Sequence, residues 1–145
     1  MALKKDIIGR RIYLDTNIIV YAVEEPVSLT KGQAALFDAI DEGSVHAFTS
    51  ELALAECLVH PFAVNDTILA AAYEKFLGGE TELKLVPLDR HILIAAAHIR
   101  ALTKIKLPDA IHVASAMSMG ATIFLTADRR IKAPPELQIQ TWRSL

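Results

Sequence analysis

The sequence predicts an α/β domain: a central parallel sheet of about four to five strands with helices over it. Three observations predict it. Short runs rich in branched and aromatic residues alternate with longer segments whose apolar residues recur at helical spacing, the pattern of successive βα units. The chain has 145 residues, enough for one domain with a substantial core. Its composition, 52% hydrophobic and 22% charged, belongs to a globular chain and excludes a disordered one.

Arg11 to Leu14 reads as the first strand. A helix follows around Gln33 to Asp41, with Leu36, Phe37 and Ile40 on one face and Gly43 as its stop. Val45 to Phe48 is the second strand. Thr49 or Ser50 then caps a helix through about Val59, which His60-Pro61 should stop. Asn65 to Leu77 forms another helix, closed by Gly78-Gly79. Leu83 to Val86 is the third strand, and Asp89 caps a helix carrying Ile92, Ala96, Ile99 and Leu102. Pro108 suits a first helical turn, so Asp109 to Met119 continues as helix until Gly120. Thr122 to Leu125 is the fourth strand and Leu137 to Thr141 a short fifth, with Pro134-Pro135 a stiff loop between them. No repeat, low-complexity tract or linker intervenes, so residues 1–145 form a single domain.

Several classes of protein are excluded. No apolar run is long enough to span a membrane; the richest, Ile92 to Leu102, is broken by His98 and Arg100. Lys4, Lys5 and Asp6 lead into no apolar core of the kind a secretory signal has. Cys57 is the sole cysteine, which excludes an internal disulfide, fits a reducing cytoplasmic setting and reads as a small buried hydrophobe. The net charge is −2, so no broad basic field is present. The bases are nevertheless clustered. Lys4, Lys5, Arg10 and Arg11 precede the first strand, Lys104 and Lys106 precede Asp109, and Arg129, Arg130 and Lys132 follow Asp128. The last two clusters flank acids, where a phosphate backbone would pass.

The chemistry lies in the acids. Asp15-Thr16-Asn17 ends the first strand, and Glu56, Asp109 and Asp128 stand in apolar surroundings, where carboxylates are rare unless paired or bound to a metal. In a parallel sheet the functional crevice lies beyond the carboxyl ends of the strands. Asp15 follows the first strand and Asp128 the fourth. Glu56 sits about two turns into the helix after the second strand, and Asp109 in the first turn of the helix leading into the fourth. Four like charges meeting there would repel and call for a hard divalent cation, Mg²⁺ or Mn²⁺. No Cys/His spacing suggests zinc. Such a cation would serve phosphate chemistry by lowering the pKa of a water and offsetting charge on the phosphorane. Mutual repulsion should also make one carboxylate easier to protonate.

Other residues carry two readings each. Asn17 and Thr126 are neutral groups that can orient the carboxylates or touch a phosphate, or else a helix cap and an ordinary strand residue. Thr16 reads as a cap. His112, one turn after Asp109, is read first as a packed histidine with one satisfied nitrogen and second as a hydrogen-bond partner of a carboxylate. Phe62, Tyr73 and Phe76 read as core or partner groove before a base-stacking platform. Glu51 lies roughly 140° from Glu56 around their helix and does not pair with it. Asp38, Asp41 and Glu42 form a solvated helix face.

Four segments carry a resemblance: Leu14-Asp15-Thr16-Asn17, Thr49-Ser50 through Glu56, Leu107-Pro108-Asp109-Ala110-Ile111-His112-Val113-Ala114-Ser115-Ala116, and Leu125-Thr126-Ala127-Asp128. In this order they resemble a PIN domain, and more narrowly the VapC-like toxins of type II toxin–antitoxin pairs. The resemblance runs from about Arg10 to Trp142. It implies a three-layer α/β/α fold and a metal-dependent endoribonuclease that hydrolyses RNA phosphodiester bonds with Mg²⁺ or Mn²⁺. It assigns Asp15, Glu56, Asp109 and Asp128 to the catalytic metal site, with Asn17 and Thr126 in support. It further implies a homodimer and a cognate antitoxin with a segment that enters the active-site groove. One position departs: some relatives carry a further acid two residues beyond the fourth, where this chain has Arg130, left to meet RNA or face solvent. The alternatives are a catalytically weak PIN-like module that binds RNA or protein, a housekeeping RNA-processing nuclease, and a phosphatase of the haloacid dehalogenase type. Against the last, Asn17 stands where that chemistry has a second acid.

Overall fold

The computed structural model describes residues 5–145; Lys4, counted above with the N-terminal bases, lies outside them. Five strands, β1 (Arg11–Leu14), β2 (His46–Ser50), β3 (Lys84–Val86), β4 (Ile123–Thr126) and β5 (Gln138–Thr141), form one sheet. Their order is β3-β2-β1-β4-β5, and every neighbouring pair is parallel. β1 is therefore the middle strand. Ile12, Tyr13 and Leu14 are buried whichever face they point to, as a strand covered on both sides requires.

The helices are α1 (Thr16–Glu24), α2 (Lys31–Asp41), α3 (Glu51–Ala63), α4 (Thr67–Phe76), α5 (Arg90–Thr103) and α6 (Leu107–Ser118). The period-two alternation of β1 divides them into two layers. Ile12 and Leu14 pack with Ile18, Leu36, Cys57 and Tyr73 from α1 to α4. Tyr13 points the other way, to Ile92 and Ala96 of α5 and Val113 of α6. Its ring stacks on Phe124 of β4 with centroids 5.3 Å apart. This is the expected three-layer α/β/α arrangement, with five parallel strands.

Local signals explain most of the element ends. Ser50, Asp66 and Asp89 each cap a helix by accepting a backbone N–H, as Asp15 does for α1. Thr30 caps α2, and Gln33 returns the bond to Thr30 N–H to complete a capping box. Thr30→Ala should cost about 1 kcal/mol of stability, the usual value for such a cap, read from the urea midpoint at unchanged m.

Three expectations are corrected. No element was expected over Asn17–Glu24, yet α1 begins at Thr16. The run Ile18-Ile19-Val20 has a strand's composition, and its helix depends on the Asp15 cap and on burying Ile18 and Ile19 in the core. The stop expected at His60-Pro61 is passed, and α3 continues to Ala63 with Pro61 buried. A proline in the last turn removes only one N–H, and the helix ends soon afterwards. Asn65 does not begin α4. It takes the left-handed conformation (φ 57°) that asparagine tolerates, and Asp66 is the cap. The aromatic residues near α4 divide: Tyr73 is buried, Phe76 packs edge-on to Phe37, and Phe62 is exposed. Cys57 is buried, and its thiol is pushed up to about 12 by burial and by the charges of Glu56 and Glu24, as suits an inert core residue. No helix among the described residues is long and apolar enough to cross a membrane.

Candidate active site

Strand order reverses direction at β1, which lies between β2 and β4, and the carboxyl ends of β1 and β4 open into one crevice. Asp15 is the residue after β1, and its N–H bonds the Leu125 carbonyl of β4. Its carboxylate is buried, and three groups orient it. Oδ1 accepts the Thr16 N–H at 2.8 Å; Oδ2 accepts the Thr126 hydroxyl at 2.7 Å and the Asn17 amide at 3.3 Å. Asn17 also accepts the Ala127 N–H at 3.1 Å, and Thr126 Oγ1 accepts the Asp128 N–H at 2.9 Å. Asn17 and Thr126 therefore tie the end of β1 to the loop carrying Asp128. The cap is Asp15, and Asn17 works across the sheet instead.

Glu56 reaches the same crevice from the second turn of α3. Its Oε1 accepts the Thr16 hydroxyl at 2.7 Å and lies 2.6 Å from His112 Nε2. The same Nε2 is 4.0 Å from Asp15 Oδ1, so one imidazole edge faces both acids. On its far side His112 Nδ1 meets the Tyr13 hydroxyl at 2.7 Å. Burial first, then the Asp15 charge, pushes the Tyr13 phenol far up, so it remains a donor. The network is satisfied with Tyr13 donating to Nδ1 and Nε2–H donating to Glu56, an assignment drawn from the hydrogen bonds themselves. His112 is thus buried, as first read, but both nitrogens are engaged and one holds a carboxylate. The sequence signal was its place one turn after Asp109; nothing in the sequence marked Tyr13.

Against the cost of burial, the hydrogen bonds from His112 and the Thr16 hydroxyl hold Glu56 below the usual carboxylate range. Asp109 behaves oppositely. Half-buried in the first turn of α6, its carboxylate has no hydrogen bond among the described residues, and burial followed by the charges of Asp15, Asp128 and Glu56 raises its pKa. A carboxylate that takes up its proton more easily is what repulsion among neighbouring acids was expected to produce. Asp128 is held low, first by its bonds to Arg130. Arg130, left open by the sequence, faces this acid, with Nε 3.0 Å from Oδ1.

The match to the PIN domain profile covers residues 12–137. The chain belongs to the PIN domain family. Comparison with curated protein sequences gives no match. Among solved structures, this PIN domain is similar to FitAcB from Neisseria gonorrhoeae, with TM-score 0.69 and 18% identity over 92% of this chain and 99% of that one. It is also similar to VapBC2 from Rickettsia felis bound to a promoter DNA fragment (TM-score 0.67, 18% identity, 91% and 98% covered). A third is VapBC-5 from Mycobacterium tuberculosis, a member of the VapBC family of toxin–antitoxin systems (TM-score 0.58, 17% identity, 92% and 99% covered). At these identities the likeness is one of fold.

Among the described residues of the PIN domain, no three His, Cys, Asp or Glu side chains are gathered tightly enough to grip a metal ion as they stand. Two of the acids are turned toward partners, Glu56 to His112 and Asp128 to Arg130. The donor chemistry nonetheless suits a hard divalent cation, because the acids offer only oxygen and leave an unrelieved negative field at Asp109. Beside Asp109 lies a cleft of about 390 Å³ lined by Lys104, Lys106, Arg130 and Lys132. A separate apolar hollow of about 300 Å³, bounded by Leu14, Phe37, Phe76 and Leu83, contains none of the four acids.

Asp109→Asn should stabilise the protein while removing a site acid. A raised carboxyl binds its proton more readily folded than unfolded, so its contribution is fully present below the ordinary carboxylate pKa and lost as pH rises through the raised value. At neutral pH the substitution should therefore gain roughly 0.5–1 kcal/mol, discounted for the group's solvent exposure. The gain should vanish in melts carried out below about pH 3.5.

Proposed function

We propose that this PIN domain is a divalent-metal-dependent endoribonuclease and the toxin half of a toxin–antitoxin pair. The observation that carries the reading is the gathering of acids at the carboxyl ends of the central strands, where Asp15 and Glu56 face one imidazole edge and Thr126 ties Asp15 to the loop carrying Asp128. Asp15, Glu56, Asp109 and Asp128 would hold Mg²⁺ or Mn²⁺. When bound, the cation supplies Lewis acidity at the phosphodiester and offsets the charge that develops on it. Thr126 and Asn17 keep Asp15 in one orientation, and His112 with Thr16 keeps Glu56 in another, so the donors are set before substrate arrives. Lys104, Lys106 and Lys132, along the cleft at Asp109, suit the phosphates flanking the scissile bond. The toxin role is supported by similarity to VapBC and FitAB structures, and it brings a homodimer and an antitoxin as expected partners.

A pool of single-stranded RNAs incubated with Mg²⁺ or Mn²⁺ should be cut internally, with cutting abolished by EDTA. Cutting that persists in EDTA, or no cutting with either ion, would overturn the nuclease reading. Growth arrest on expression, relieved by the protein of an adjacent small reading frame, separates the toxin role from housekeeping RNA processing.

A further inference from the structure

Arg130 places a base directly on one of the four acids. Its Nε lies 3.0 Å from Asp128 Oδ1 and its Nη2 3.2 Å from Oδ2, while its backbone N–H bonds Oδ1 at 2.9 Å. Both oxygens of one of the four acids are therefore taken, by a residue only two positions away. The backbone bond orients the carboxylate and the planar fork closes over it, a geometry that lysine cannot reproduce. The Arg130 side chain is 80% exposed and the Asp128 side chain 23%, so the pair is open to water and ions and gives way readily.

From this geometry, and resting on the metal-dependent reading above, we infer that Arg130 is a built-in counter-ion that competes with a divalent cation for Asp128. Cation uptake then requires the fork to open, and the exchange sets the affinity of the site. Lys132 provides the contrast: it lines the same cleft but makes no bond to Asp128 among the described residues. A long-range charge effect would be shared by both bases, whereas competition for the carboxylate belongs to Arg130 alone.

The test is Mn²⁺ binding by calorimetry in about 0.1 M salt, where distant surface charges are screened. The proteins are the parent, Arg130→Gln, Arg130→Lys and Lys132→Gln. Arg130→Gln should bind Mn²⁺ about three- to tenfold more tightly than the parent, on the scale of releasing an exposed pair and a nearby positive charge. Arg130→Lys should fall between them, and Lys132→Gln should stay within about twofold of the parent. In the parent, the Arg130 Nε–H resonance should move toward that of an unpaired arginine as Mg²⁺ is added. Equal tightening by Lys132→Gln, parent-like affinity in Arg130→Lys, or an unmoved resonance at saturation would overturn the inference. If all four proteins bind Mn²⁺ equally, the competition alone fails. If none binds, the metal-dependent reading fails and the inference with it.

Discussion

Asp15→Asn should lower the rate of RNA cleavage in Mg²⁺ at least about a hundredfold, because losing even a residue that merely orients a ligand costs about ten- to a hundredfold. The structure makes this substitution a clean one. An asparagine oxygen can still accept the Thr16 N–H, so the cap of α1 survives. At the other position an amide replaces the oxygen that accepts Thr126 and Asn17, and the Thr126 hydroxyl must turn to accept from it. Two donors, Asn17 and the new amide, then crowd that point, at a cost of about 1 kcal/mol, partly offset by removing one negative charge from the field at Asp109. Initial rates on a labelled RNA, with circular dichroism to verify the fold, measure both effects. Parent-like cleavage by a folded Asp15→Asn protein would remove Asp15 from the catalytic set.

The largest effect on stability is expected from His112→Ala, about 3–5 kcal/mol by urea unfolding. The imidazole is buried between β1 and α3, so its removal leaves a cavity, strands the Tyr13 hydroxyl and leaves Glu56 with the Thr16 hydroxyl alone. Tyr13→Phe removes only one of those bonds and should cost about 1–3 kcal/mol. Acid dependence distinguishes the two. Glu56 is depressed by His112 and Thr16, so its contribution is present above about pH 4.3, the unfolded value, and lost as pH falls through the lower folded one. His112→Ala should flatten that acid limb, whereas Tyr13→Phe should leave most of it. A His112→Ala protein within about 1 kcal/mol of the parent would show that the network is incidental to the fold.

Most of the architecture was legible because its causes are local. Alternating and helical periodicities mark the strands and five of the helices, and the cap at Asp89 sits where a side-chain acceptor meets a free N–H. α1 was missed because its residues favour a strand, and the cap signals in Asp15-Thr16-Asn17 were weighed without a helix being drawn after them; Asp15 is the cap. Pro61 misled because proline was treated as a full stop, although in a last turn it removes only one bond.

The candidate site was legible as a list of acids and illegible as a set of partners. A parallel sheet aligns the carboxyl ends of its strands, so Asp15, Glu56, Asp109 and Asp128 were expected near one crevice, although their separations in sequence say nothing of it. Only the tertiary structure decides that Thr126 reaches Asp15 across 111 residues, that His112 holds Glu56 across 56, and that Thr16 belongs to the network. It likewise decides that Arg130 turns onto Asp128 and that Asp109 has no hydrogen-bond partner among the described residues. The physical reason is range. Periodicity and capping act within a turn or two of the chain, whereas burial and charge act through space, between residues the fold alone makes neighbours.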